Sequence, residues 1–217
     1  MTVVVVGCGY IGCALAGQLA EAGHEVTGVR RSPDGLERVA AIDDSVEAIR
    51  ADATLPATLE SLPDADTVVF AASAGGRGAD VAREVYVEGL RNVLEEYGMR
   101  ADPPDRLVYT SSTGVYGNHD GGWVDETTPI DPTTAKTRVL ATAETVALSE
   151  ATSYGIDGTV ARFAGLYGPD RYRLERYIEG PVTAGYLNMV HRDDAAGAVR
   201  YLLEADVARG EPVVVVD

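Results

Sequence analysis

Apolar residues follow two different periods along this chain. Residues 2–6 form an unbroken valine-rich run that stops at Gly7, the composition of a parallel strand covered on both faces. Residues 11–22 then carry Ile11, Leu15 and Leu19 at fourfold spacing, which predicts a helix ended by Gly23. Short apolar runs predict further strands at 26–29, 46–49, 67–70, 107–110, 159–164, 186–190 and 213–216. Between them, helical spacing predicts a short helix at 36–41, long amphipathic helices at 79–97 and 133–153, and a last helix at 193–203.

Strand and helix therefore alternate, which implies right-handed crossovers and a mostly parallel sheet with helices on both faces. The expected fold class is α/β, a three-layer, Rossmann-like, doubly wound sheet with a small C-terminal substrate-binding part. One domain is expected over 1–217, with 165–217 contributing that reduced region. Residues 112–132 break the rhythm with glycines, prolines and acids, a connection long enough to suggest a lid or pocket wall.

Length and charge narrow the function classes. At 217 residues the chain is one domain in size, and 18 basic against 34 acidic residues leave a net charge of -16. Such a field repels nucleic acid and anionic membranes, and no run of eighteen apolar residues is present, so a soluble cytoplasmic protein is expected, with neither as a partner. The basic residues are seventeen arginines and one lysine, Lys136, a usage similar to that of salt-loving archaea. Self-repulsion on this scale is screened in molar salt, where the Debye length falls to about 3 Å. The melting temperature is therefore expected to rise from dilute buffer to molar potassium chloride; a flat or falling curve would make this an ordinary acidic surface. Cys8 and Cys13, both in the first turn-and-helix segment, make no disulfide framework, and His24, His119 and His191 are spread too far away for a zinc set, so reduced, mostly buried thiols and no metal site are expected.

Gly7-Cys8-Gly9-Tyr10-Ile11-Gly12 is a GxGxxG between the first strand and the first helix. Glycines there allow a tight turn, close approach of backbone to a pyrophosphate, and close helix–strand packing, with the phosphates on the helix N-terminus. At the end of the second strand, where an acidic residue would meet the ribose of NAD, the chain has Arg30-Arg31. Two guanidinium groups suit a 2'-phosphate, so NADP is the expected cofactor and NAD the alternative. Asp52 is either an acceptor for the adenine amine or a turn residue. Ala71, Ala72 and Ser73 bring small side chains to the point where a dinucleotide passes.

Tyr109-Thr110-Ser111-Ser112-Thr113-Gly114-Val115-Tyr116-Gly117 places a cluster of hydroxyls at the carboxyl end of the fifth strand. With the glycine motif, Lys136, Arg162 to Pro169 (RFAGLYGP) and His191 to Ala195 (HRDDA), this pattern resembles the extended short-chain dehydrogenase/reductase superfamily. It resembles more closely the atypical members with a GCGYxG start and a shortened C-terminal part. The resemblance implies that Ser112 orients the reacting oxygen, and that Lys136 binds the nicotinamide ribose. It implies a catalytic tyrosine four residues before Lys136, where this chain has Pro132, which has no proton to give. Tyr116 or Tyr167 is then either a substitute acid–base group or a pocket wall, Tyr167 lying in the segment that passes over the nicotinamide. Thr113, Trp123, Asn188, His191 and Arg173 are candidates for substrate contacts, His191 equally for a structural bond at a helix start. His119, Asp125 and Glu126 populate the long loop and are expected to shape a pocket.

Three functions fit these residues. The first is an NADP-dependent oxidoreductase on a small carbonyl or alcohol. The second is a catalytically inactive dinucleotide sensor or interaction module, favoured by Pro132. The third is a nucleotide-sugar epimerase or dehydratase, disfavoured by the arginine pair and by the roughly fifty residues that follow Pro169. The resemblance also implies a homodimer through the two long helices.

Overall fold

The structure is a computed structural model and describes residues 1–76, 78–172, 178–180 and 186–217. Its centre is a seven-stranded sheet in the order β3-β2-β1-β4-β5-β6-β9, every neighbouring pair parallel. The strands are β1 (Thr2–Val6), β2 (Glu25–Arg30), β3 (Val46–Arg50), β4 (Thr67–Phe70), β5 (Arg106–Ser112), β6 (Asp157–Phe163) and β9 (Pro212–Val215). Two short strands, β7 (Gly165–Tyr167) and β8 (Met189–His191), pair separately. The doubly wound α/β expectation holds.

The valine run explains the centre of the sheet. Val3 to Val6 are buried, with Val4 and Val6 packing on one face and Val3 and Val5 on the other. One layer is α1 (Tyr10–Glu21) and α6 (Arg192–Glu204), whose Leu15, Leu19, Ala195 and Val199 share a core with Val69 and Val108. The opposite layer holds α3 (Ala79–Arg83), α4 (Gly89–Gly98) and α5 (Ala135–Thr145), burying Leu90, Val93, Leu94 and Val139 against Val68, Phe70 and Leu107. A short α2 (Pro33–Ala40) follows β2, its Ser32 side chain accepting from the Gly35 N–H.

Both long helices of the sequence reading are interrupted. Glu84–Glu88 forms a π-helical turn between α3 and α4, and Val146–Glu150 forms another after α5, followed by a 3-10 turn at Ala151–Tyr154. Such wide turns break the simple 3.6-residue period without breaking the apolar stripe, so pattern alone joins the pieces. Arg91 of α4 reaches Glu150 with two bonds of 2.9 and 2.6 Å, fixing these helices side by side. Arg106, at the start of β5, is 2% exposed and donates to the Leu202 carbonyl at 2.6 Å, to the Val207 carbonyl and to Thr159 Oγ1. The predicted strand over 186–190 is shorter and later, with Tyr186 and Leu187 exposed outside it.

After β3 the chain crosses to the other side of β1 to form β4, so the strand order reverses between β1 and β4. Open α/β sheets bind ligands beyond the carboxyl ends of strands at such a point.

Candidate functional site

Gly7 follows β1 with φ +88, a conformation that suits glycine, and a Cβ there would stand 2.2 Å from the Ala72 Cα. The ends of β1 and β4 therefore meet backbone to backbone. The Gly7 and Cys8 N–H groups donate to the Val29 carbonyl at 3.2 and 3.0 Å, which ties the turn to β2. A Cβ on Gly12 would lie 2.9 Å from the Gly7 carbonyl oxygen, so its absence brings α1 onto the loop. Gly9 caps α1 without a side chain, and no side chain meets the N–H groups of the first turn, which Tyr10, Ile11 and Gly12 open.

Beside this turn lies a cavity of about 300 Å³. Gly7, Arg30, Arg31, Asp52, Ala72 and Ser73 all line it, with Val29 and Val85 as apolar wall. Arg30 lies between the glycine turn and the start of α2: a Cβ at Gly9 would stand 3.0 Å from its Nη1, and one at Gly35 2.6 Å from its Nε. Arg31 is more than half exposed, 3.7 Å from Asp52 Oδ2. The other oxygen of Asp52 accepts from the Thr54 N–H at 3.0 Å and hydroxyl at 2.9 Å, so Asp52 is a turn residue that also faces the cavity. Ala71 donates its N–H to the Val6 carbonyl at 2.8 Å, behind the lining.

A second cavity of about 270 Å³ is lined by Ala74, Gly76, Gly78, Ala79, Ala82 and Lys136. Lys136 is exposed in the first turn of α5, whose start is fixed by a reciprocal pair: Thr134 Oγ1 accepts from the Thr137 N–H, and Thr137 Oγ1 from the Thr134 N–H. Ser112 ends β5, its Oγ accepting from the Gly114 N–H at 3.2 Å. A Cβ at Gly114 would stand 3.4 Å from Ser112 Oγ and 3.5 Å from the Thr137 methyl, so Gly114 lies between Ser112 and the first turn of α5. Thr113 begins the 3-10 turn Thr113–Tyr116, and Pro132 lies before α5, partly covered.

Tyr116 does not face this cleft. It is 2% exposed and its hydroxyl accepts from Arg162 Nη1 at 2.6 Å. Burial pushes its phenol above the usual range, which the neighbouring guanidinium only partly offsets. The expectation of Tyr116 at the reacting centre is therefore corrected: valine and tyrosine of the VYG segment both turn inward, because the 3-10 turn after Ser112 wraps them onto the core. Arg162 on β6 grips Glu144 of α5 through Nε at 3.2 Å and Nη2 at 2.8 Å, and Glu144 Oε1 accepts from the Ser111 hydroxyl at 2.6 Å. Sequence reading quoted Arg162 without a role and missed Glu144. The available signal was an arginine between Ala161 and Phe163 of a buried strand, which requires a buried partner.

The Tyr10 ring lies 4.0 Å from the Arg171 guanidinium and 5.5 Å from that of Arg192. His191 caps α6, Nδ1 accepting from the Asp193 N–H at 3.3 Å, and its ring meets Tyr167 edge-on at 5.1 Å. The structural reading of His191 thus has its hydrogen bond. Tyr167 faces Asp217, which pushes its phenol upward. Trp123 is 98% exposed and Asn188 is exposed, and neither is among the residues lining the two cavities. Asp125 and Glu126 have structural partners in Thr127, Thr128 and the Val214 N–H, and His119 sits edge-on to Tyr116. Arg173 lies outside the described residues. Among the described residues no group of three or more His, Cys, Asp or Glu is placed to hold a metal, and no helix is long and apolar enough to cross a membrane.

The family model described as "NAD dependent epimerase/dehydratase family" matches residues 3–215, and so spans both cavities. The chain belongs to this family. Protein YeeZ of Escherichia coli strain K12 is 34% identical over 209 residues, covering 94% of this chain and 73% of its own. A Methylobacillus flagellatus structure, provisionally described as an NAD-dependent epimerase/dehydratase, matches at 32% identity and TM-score 0.79 over 100% of this chain and 75% of that one. The dTDP-glucose 4,6-dehydratase DesIV of Streptomyces venezuelae, solved with NAD bound, superposes with TM-score 0.82 at 24% identity, over 99% and 75% of the two chains. That last likeness is one of fold. Family and fold together give an NAD(P)-binding architecture, and the glycine turn with the arginine-lined cavity lies at the reversal of strand order, where open α/β sheets take ligands.

Proposed function

We propose that this chain is an NADP-dependent oxidoreductase acting on a small carbonyl or alcohol. The observation that carries the reading is the cavity beside the glycine turn, lined by Arg30 and Arg31 where a ribose-binding acid would otherwise stand. The residues present fit such a group: the turn offers backbone that a Cβ would fill, α1 offers unspent N–H groups, and two guanidinium groups meet a phosphate in the adenosine half. Gly9, Tyr10, Ile11 and Gly12 would hold the pyrophosphate, with Ala71, Ala72 and Ser73 beside its path.

When bound, the nicotinamide supplies or accepts hydride. Lys136 holds the ribose hydroxyls and places a positive charge near the developing alkoxide. Ser112 keeps its hydroxyl hydrogen free, since its oxygen is the acceptor for Gly114, and donates that hydrogen to the substrate oxygen. With Pro132 in the tyrosine position, the proton comes from solvent through Ser112 rather than from a phenol. A second reading, a dinucleotide sensor without turnover, is supported by the same Pro132 and by the inward turn of Tyr116.

The test is a fluorescence titration of NADPH and NADH in molar salt, with wild type and the Arg30→Ala, Arg31→Ala double variant. Wild type is expected to prefer NADPH, and the variant to lose about 10- to 100-fold in NADPH affinity, the worth of one or two charge-assisted bonds, with NADH little changed. Equal binding of both cofactors by wild type would overturn the NADP assignment. Binding without turnover across a carbonyl and alcohol panel would select the sensor.

A further inference from the structure

The only two cysteines of the chain flank the glycine turn. Cys8 lies between Gly7 and Gly9, Cys13 on the second turn of α1, and their sulfurs are 3.9 Å apart. Gly28 of β2 makes the space that Cys8 occupies: a Cβ there would stand 3.0 Å from the Cys8 sulfur. We propose that Cys8 and Cys13 are an oxidation site, closing to a reversible intramolecular disulfide that loosens the grip of the glycine turn on its dinucleotide. The consequence for binding rests on the dinucleotide reading above; the bond itself does not.

The two thiols are chemically unequal. Cys13 is half-buried, and a hydrogen bond from Cys8 lowers its pKa to about 7 against the opposing effect of burial, with Arg30, Arg38 and Arg192 assisting. Cys8 is 1% exposed, and its bond to Cys13 together with burial pushes its thiol up. The less buried, more acidic thiol is thus the one that meets an oxidant, and the buried one resolves it. With hydrogen peroxide, the Cys13 thiolate attacks one oxygen, the O–O bond breaks, and the departing hydroxide takes a proton to leave as water. The resulting sulfenic acid is attacked by the Cys8 sulfur, which gives up its proton; the S–O bond breaks and a second water leaves. Two thiols and one peroxide become one disulfide and two waters.

Closure requires the sulfurs to come from 3.9 Å to the roughly 2.05 Å of a disulfide. Cys13 is anchored in a helix packed against the sheet, so the displacement falls on the turn. That turn has little slack, because Gly7 already meets Ala72 backbone to backbone and Cys8 N–H is bonded to Val29. Moving it misplaces the backbone that would receive the pyrophosphate. Linkage then runs both ways: whatever factor oxidation takes from dinucleotide affinity, bound dinucleotide takes from the tendency to oxidise.

The experiment treats reduced whole protein in molar salt with one equivalent of hydrogen peroxide and follows the tryptic peptide 1–30, which contains both cysteines. The expected result is a peptide about 2 Da lighter, reversed by dithiothreitol, and a parallel loss of roughly tenfold in NADPH affinity that the reductant restores. In Cys13→Ser protein, the same treatment is expected to leave the titration unchanged, and saturating NADPH to slow disulfide formation in wild type. A peptide that gains oxygen instead, or one in which both thiols survive, would overturn the site. A lighter peptide with an unmoved titration would overturn the coupling. Failure of reduced protein to bind any dinucleotide would instead refute the functional reading, with the mass result standing on its own.

Discussion

Glu144→Gln is expected to cost about 3–5 kcal/mol of stability, roughly 10 °C in melting temperature for a chain of this size. The Arg162 guanidinium beneath β6 has Glu144 as its counter-ion, and both side chains are almost wholly buried. Burial works against the charge on Arg162, and the bonds to Glu144 and Tyr116 more than offset it. Glutamine keeps the shape and one acceptor but leaves a desolvated cation without a neutralising charge. Removing both partners, as in Glu144→Leu with Arg162→Met, is expected to recover much of the loss, because a matched apolar pair carries no uncompensated charge. Denaturant melts of the three proteins in molar salt measure this. A single variant within about 1 kcal/mol of wild type would show that the buried pair contributes little to holding α5 on the sheet.

Gly7→Ala is expected to abolish dinucleotide binding within the range of titration, a loss of at least about 100-fold, or roughly 2.7 kcal/mol. The new methyl would be driven to 2.2 Å from the Ala72 Cα, against backbone that cannot rotate away, in a residue held at φ +88. Either β1 and β4 part at their ends or the turn is refolded, and both destroy the cradle. Gly155→Ala supplies the comparison: it also has positive φ, +73, but open space around it. That variant is expected to cost about 1 kcal/mol and to bind as wild type does. If Gly7→Ala bound the cofactor like Gly155→Ala, the turn would not be where the phosphates rest.

Much of this architecture is legible in the sequence because it rests on local pattern. Val3 to Val6, the fourfold spacing of Ile11, Leu15 and Leu19, and the glycines at 7, 9 and 12 each state a backbone geometry within a few residues. The Arg30–Arg31 pair, Asp52 and Ser73 are distant from one another in sequence yet share one cavity, which the order of strands alone implied. What escaped reading depends on direction rather than position. Tyr116 and Ser112 are four residues apart, and a 3-10 turn between them sends one into the core and leaves the other partly exposed at the end of β5. Glu144 looks like any acid on an amphipathic helix until Arg162 is placed across from it. The π-turns at 84–88 and 146–150 carry no residue signature that spacing would register.

Arg106 has a bearing on how the chain comes apart. Its guanidinium is enclosed only when the end of α6 and the carbonyl of Val207 have arrived, nearly a hundred residues later in the chain. If the last helix and β9 left first, the Arg106 guanidinium would lose its bonds to the Leu202 and Val207 carbonyls and the start of β5 would lose its cover in the same step. Partial peeling from the carboxyl end is thereby penalised, and the central strands and the tail melt as one cooperative unit.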